Sequence, residues 1–293
     1  MMSVVDSTIE KSIFGGKAWY SCFGRPVDWR AVRQMEHPEH LRAIQSIVCS
    51  LLHHNINRLF MMCPIIDFDR DYSVGKKPLN ISFTDTLDGW DQLKFPSLCV
   101  DDRTVELYCR WTDGVILAPG SAVIMTTADC PVIIADDVND KHVAVLHGSR
   151  DALECPEAAG RFFGRKPPNI IEVWHSHFGS VGHSAISVKV VCGIGANDFR
   201  HPEDDSKFGE INRRRKEYYA QIGCPCMTFN DGLDLFAFIR HEFAALGVDP
   251  NQVVSDGVNT FFDKDLATGK LLWHSYRFNK DSGCNAVLVV NFG

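Results

Sequence analysis

Apolar positions follow helical spacing early in the chain, form strand-length runs in the middle and alternate between the two towards the end. Ile44, Ile47, Val48, Leu51 and Leu52 recur on one helical face. Pro38 suits a first turn, with acidic Glu39 behind it, so a helix is predicted from residue 38 to the pair His53-His54. Two histidines at that end are read as partners of the helix dipole. Residues 57–66 read as a strand. Residues 67–112 scatter Asp, Gly and Pro and predict long loops or a peripheral hairpin. From Asp113 the chain turns regular, with Val- and Ile-rich runs at 115–117, 121–127, 132–135 and 143–146. Pro119-Gly120 and Val138-Asn139-Asp140 supply turns between them. Beyond these, 151–163, 207–222 and 233–246 read as helices. The last carries Leu235, Ile239, Phe243 and Leu246 on one face and Gly247 where a helix-ending glycine belongs. Residues 188–192, 271–276 and 286–292 read as strands. Strands interleaved with helices predict an α/β layered architecture, a single domain over residues 1–293.

Composition fits that picture. Apolar residues make up 45% and charged residues 23% of the 293, an ordinary globular balance. A net charge of −7 gives no reason to expect nucleic acid or an anionic membrane as partner. The longest apolar runs are strand-sized, short of the roughly 20 residues that span a bilayer. Residues 1–11 hold acidic side chains and no apolar core, unlike a secretory signal. The eleven cysteines are an odd number at irregular spacings, which points to a reducing, cytoplasmic setting. Those in apolar segments, such as Cys49, Cys63 and Cys109, read as small buried hydrophobes. Cys224-Pro225-Cys226 is a C-x-C and reads as a loop with incidental thiols.

The chemistry concentrates between Trp111 and Arg150. Cys130 follows a buried strand at a strand-to-strand turn, and His147 ends a strand expected nearby. A thiol beside an imidazole can become a nucleophile, or both can ligate zinc or copper. An unrelated buried cysteine and histidine would leave the same spacing.

Asp113-Gly114-Val115-Ile116, Pro119-Gly120, Val123 and Thr127-Ala128-Asp129-Cys130-Pro131-Val132, followed by Asp136 and His147, resemble the core block of the YfiH-like family, also called laccase-domain or multicopper polyphenol oxidoreductase-like proteins. Cys192-Gly193-Ile194-Gly195 with Phe199, Leu233-Asp234-Leu235, Gly257-Val258-Asn259-Thr260 and Ser275-Tyr276-Arg277 with Gly283 resemble its later motifs in order. The match runs over about residues 110–293 and leaves residues 1–110 as a divergent N-terminal part. The resemblance implies a three-layer α/β/α fold with a mixed sheet, shared with bacterial cysteine deamidase toxins. It also implies a Cys/His site, usually with zinc, acting on purine nucleosides by phosphorolysis or deamination. Carried over by position, Cys130 and His147 are the ligands or catalytic pair, with Asp129 orienting the site. Arg150 fills the place of a family arginine, and Ser275, Tyr276 and Arg277 face substrate or phosphate.

The chain also departs from the pattern. The family's upstream histidine ligand has no equivalent, since no histidine lies between His54 and His142. Cys99, His175 and His177 are the substitute candidates for a third ligand, the two histidines as alternate residues on a strand. Asn259 stands in place of a later cysteine, and Phe278 in place of a second arginine. Three functional readings follow. The first is a nucleoside phosphorylase or deaminase with small-molecule substrates, a purine nucleoside and phosphate. The second is a metal-free cysteine hydrolase or deamidase with a Cys130–His147 dyad. The third is a non-catalytic binding module.

Overall fold

Strands that are apolar on both faces need cover on both sides, and here two mixed sheets stacked face to face supply it. The structure is a computed structural model that describes residues 9–25, 27–29, 38–63, 79–100, 102–154, 168–178, 185–279 and 283–293. Sheet A has seven strands in the order β1 (Ile9–Ile13), β2 (Ala18–Phe23), β13 (Asn285–Asn291), β8 (Ser121–Thr127), β3 (Arg58–Cys63), β6 (Arg103–Trp111) and β5 (Asp91–Val100). Sheet B has six, ordered β12 (Val253–Ser255), β11 (Ile186–Val191), β9 (Val132–Asp137), β10 (Val143–His147), β7 (Gly114–Leu117) and β4 (Ile81–Phe83). Both are mixed: β3 runs parallel to β6 and β8, β11 parallel to β12, and β4 parallel to β7.

Successive residues of one strand feed different cores, as a two-residue repeat requires. On β8, Val123 and Met125 point to the inter-sheet core, where they meet Val115, Val132, Ile134, Val143 and Val145 of sheet B. Ala122 and Ile124 point the other way, onto Ile44, Ile47, Val48 and Leu51 of helix α1 (Pro38–His53). The outer face of sheet B, through Ile133, Leu146 and Val188, packs on α2 (Arg150–Leu153), α3 (Ile170–Phe178), α4 (Gly209–Gln221) and α5 (Leu235–Ala245). The expected α/β class with mixed sheet pairing is what the structure has. The single sheet of the three-layer expectation is two sheets, so helices and strands stack as α/β/β/α. β5 and β6 form the expected peripheral hairpin, with β5 at the edge of sheet A. β13 lies between β2 and β8, so the divergent N-terminal part and the motif-bearing part share one sheet. Among the described residues no helix is long and apolar enough to cross a membrane.

Several local expectations change. Residues 271–276 are not a strand. Leu271 makes an isolated bridge to Lys264, and Tyr276–Asn279 is a short helix, α6. The helix expected over 151–163 stops at Leu153, with Glu154 extended; residues 155–163 lie outside the described residues. β1 and β2 carry no strong sequence signal because β1, reading IEKSI, is an edge strand with exposed polar positions. Cys49 is exposed and Cys109 half-buried, while both thiols of Cys224-Pro225-Cys226 are buried rather than incidental to a loop.

Candidate functional site

Five chain segments converge at one end of sheet B. The turn from β8 to β9 carries Asp129, Cys130 and Pro131. Beside it β10 ends at His147, whose main-chain N–H donates to Asp113 O at 2.9 Å. Asp113 in turn accepts from Asn80 N at 3.2 Å, so the Asp-Gly motif holds the strand end that carries His147. The next N–H, of Gly148, donates to Pro131 O at 2.8 Å. A Cβ on Gly148 would sit 2.9 Å from that same oxygen, so glycine is what lets the two turns close on each other.

Asp129 is the hub. Its side chain is buried, and Oδ1 accepts from Thr260 Oγ1 at 3.1 Å while Oδ2 accepts from Arg277 N at 3.0 Å. The buried Ser275 hydroxyl also bonds it, and its main-chain oxygen accepts from Ile194 N at 3.0 Å. The carboxylate thus pins the segments around Thr260 and Ser275, and the main-chain oxygen of the same residue pins the segment after β11. Burial pushes its pKa up, against the opposing pull of those neutral donors and the Arg277 charge. Asn259 is a second pin. Its Oδ1 accepts from Gly195 N and Phe261 N at 3.0 Å each, and its Nδ2 donates to Asp198 Oδ2 at 2.8 Å. The residue in the family's cysteine place therefore does structural work here.

Cys130 is half-buried. Burial and the nearby carboxylates of Asp129 and Asp151 push its thiol up to about 12, outweighing Arg150 and Arg277. The thiol is therefore protonated through the physiological range, opposite to what a cysteine nucleophile needs. Among the described residues no three His, Cys, Asp or Glu side chains are grouped as metal donors. The proposed third ligands stand apart in kind as well. Cys99 is exposed on edge strand β5, bonded to Thr104 Oγ1 at 3.3 Å. His175 and His177 lie on helix α3, not a strand. Residues two apart there point about 200° away from each other and share no face. His177 packs edge-on against Phe83 at 5.3 Å.

The cationic residues do come together. Arg150 opens α2, behind the capping Ser149, and its Nε and Nη2 each lie 3.3 Å from Asp151 Oδ1. Arg277 is exposed, its guanidinium carbon 4.6 Å from the centre of the Phe199 ring, and it forms no ion pair among the described residues. Each of these guanidiniums is within electrostatic reach of the other. Tyr276, Phe278 and Phe262 are exposed, and Phe261 meets Phe278 edge-on at 5.3 Å. His274 is buried and bonds Val27 O at 3.0 Å, away from this corner.

Four residues here carry no motif signal. Glu154, buried beneath Arg150, accepts from Arg215 Nε at 2.8 Å and from Tyr219 Oη. His201 stands 3.4 Å from Arg150 Nη1 and packs edge-on against Phe199. The histidine is isolated in sequence, and Arg215 reads as one more charge on a solvated helix. Only the tertiary fold brings them in.

No family model and no curated protein sequence matches the chain. Solved structures do. A Neisseria meningitidis protein assigned to the family model DUF152 superposes with a TM-score of 0.56 at 15% identity, covering 94% of this chain and 95% of that one. The hypothetical protein YfiH of Bacillus licheniformis gives 0.53 at 15% identity, with 93% and 91% covered. YlmD of Geobacillus stearothermophilus gives 0.53 at 14%, with 94% and 92% covered. The fold is thus the YfiH-like fold, and it takes in the N-terminal part as well as the motif-bearing part.

Proposed function

We propose that the chain is a laccase-domain-type enzyme that cleaves purine nucleosides by phosphorolysis, with Arg277 and Arg150 holding the phosphate. The observation that carries this reading is the Arg277 guanidinium. It is stacked on Phe199, adjoins the Asp129–Cys130 turn and has no carboxylate partner among the described residues. A guanidinium presents a planar fork of donors that matches phosphate oxygens. The exposed rings of Tyr276, Phe278 and Phe262 offer apolar faces for a purine.

In the reaction a phosphate oxygen attacks the sugar C1′, the bond from C1′ to the base nitrogen breaks, and its electron pair leaves with the base. Fixed cations beside the incoming oxyanion lower the cost of bringing it to the sugar. The departing base takes a proton, and His147, at the end of β10, is the side chain assigned that role. Asp129, with both oxygens held by structural donors, orients the loops instead. A cysteine-hydrolase reading is the weaker one because the Cys130 thiol is held protonated.

The test is base release from adenosine, inosine and methylthioadenosine with inorganic phosphate, in wild type and Arg277→Ala. Loss of one charged clamp residue is expected to lower kcat/KM by about 100-fold. Equal rates in the two proteins would remove Arg277, and this reading, from consideration.

A further inference from the structure

His201 sits where two guanidiniums meet an aromatic wall. It is 6% exposed, and its main-chain N–H donates to Asp231 O at 2.8 Å. Its ring lies edge-on to Phe199, centroids 4.6 Å apart, while Arg277 covers Phe199 at the same distance. Nδ1 lies 3.4 Å from Arg150 Nη1. A guanidinium only donates, so Nδ1 is the acceptor and the ring proton sits on Nε2. Asn212 on α4 lies near enough to act on the imidazole, but neither Nε2 nor Asn212 Oδ1 has a hydrogen-bond partner among the described residues. Asn212 is itself fixed, buried and donating through Nδ2 to Pro202 O at 2.8 Å. Burial and the charges of Arg150, Arg277 and Arg215 push the imidazole down to about 2, so the acceptor stays available at every physiological pH.

That acceptor meets Arg150. Asp151 takes its Nε and Nη2, and Glu154 Oε1 lies 3.8 Å from Nε, so the carboxylates engage one side of the guanidinium. His201 engages Nη1. We infer that His201 is the positioning residue of an oxyanion clamp: its neutral imidazole, packed edge-on against Phe199, holds Arg150 in register with Arg277 so that both guanidiniums address one tetrahedral oxyanion. This rests on the phosphate-holding role proposed above for the two arginines and adds the residue that sets their geometry. His201 touches Arg150 and the ring beneath Arg277 rather than the substrate, so substituting it changes anion affinity through the arginines.

The experiment is calorimetric titration of inorganic phosphate into the full chain, in wild type, Arg277→Ala, His201→Leu and His201→Asn. Leu and Asn are close in size, but only Asn places a carbonyl oxygen where Nδ1 stands. His201→Leu is expected to weaken phosphate binding about tenfold, the scale of one hydrogen bond to a charged group, and His201→Asn to recover most of it. A purely structural histidine would lower the melting temperature of both variants without separating their affinities. Should His201→Leu fail to fold, His201→Phe keeps the ring packing, lacks the acceptor and is expected to show the same tenfold loss. Loss of binding in Arg277→Ala with wild-type affinity in the position-201 variants would overturn the positioning role and leave the clamp standing. Undiminished binding in Arg277→Ala, or none in wild type, would overturn the clamp and this inference together.

Discussion

Asp129 and Glu154 are two buried carboxylates at one end of sheet B, and they are satisfied in opposite ways. Asp129 accepts from neutral donors, Thr260 Oγ1, the Ser275 hydroxyl and the Arg277 main chain, which tie together three loops at the site. Glu154 lies under the site and accepts from the Arg215 guanidinium and the Tyr219 hydroxyl, a charge-compensated pair inside the helical layer. Neutral donors fix direction without cancelling charge, so Asp129 keeps the cost of burial and its pKa is raised. The ion pair at Glu154 cancels charge locally and anchors α4, which carries Asn212 behind His201. The first carboxylate shapes the site, and the second supports its floor.

The largest expected effect comes from breaking the floor. Glu154→Gln removes the close, buried partner of Arg215, leaves only the longer 3.8 Å pair with Asp151, and should cost about 3 kcal/mol in urea unfolding, the lower end of the penalty for breaking a buried pair. An unchanged unfolding midpoint would mean that water compensates Arg215 and that the contrast is false.

Asp129→Asn keeps an acceptor oxygen and removes the charge. Its signature lies in pH. A carboxyl whose folded pKa is raised stabilises the fold below its unfolded pKa, and that contribution is lost as pH rises through the folded value. Wild type is therefore expected to lose stability relative to Asp129→Asn as pH rises above about 4, the ordinary carboxylate value, in parallel melts. A gap that widens the other way would show that the neutral donors outweigh burial.

The smallest effect is expected at the residue that dominates the motif. With its thiol held up at about 12, Cys130 should resist iodoacetamide at pH 7, and Cys130→Ser should keep activity within about threefold. Rapid alkylation at neutral pH, followed by mass spectrometry, would restore the nucleophile reading.

Much of this was legible in the chain, for a physical reason. Strands such as β8, β9, β10 and β13 are buried along their whole length and so appear as continuous apolar runs. Such runs do not say what covers them, and a second sheet and a helical layer leave the same signature, which is why the stacked pair of sheets was not foreseen. The run Leu271–Trp273 read as a strand although it belongs to a loop leading into α6. At the site, Asp129, Cys130, His147 and Arg277 stand out because they lie in ordered motifs. Glu154, His201 and Arg215 act through contacts 50 or more residues apart in sequence, Arg150 with His201 and Glu154 with Arg215, which no local pattern records.

The most direct test of the central claim is the initial rate of base release from a purine nucleoside as a function of inorganic phosphate. The account predicts a rate that depends saturably on phosphate and yields a sugar 1-phosphate. Base release independent of phosphate, or ammonia release without glycosidic cleavage, would contradict it.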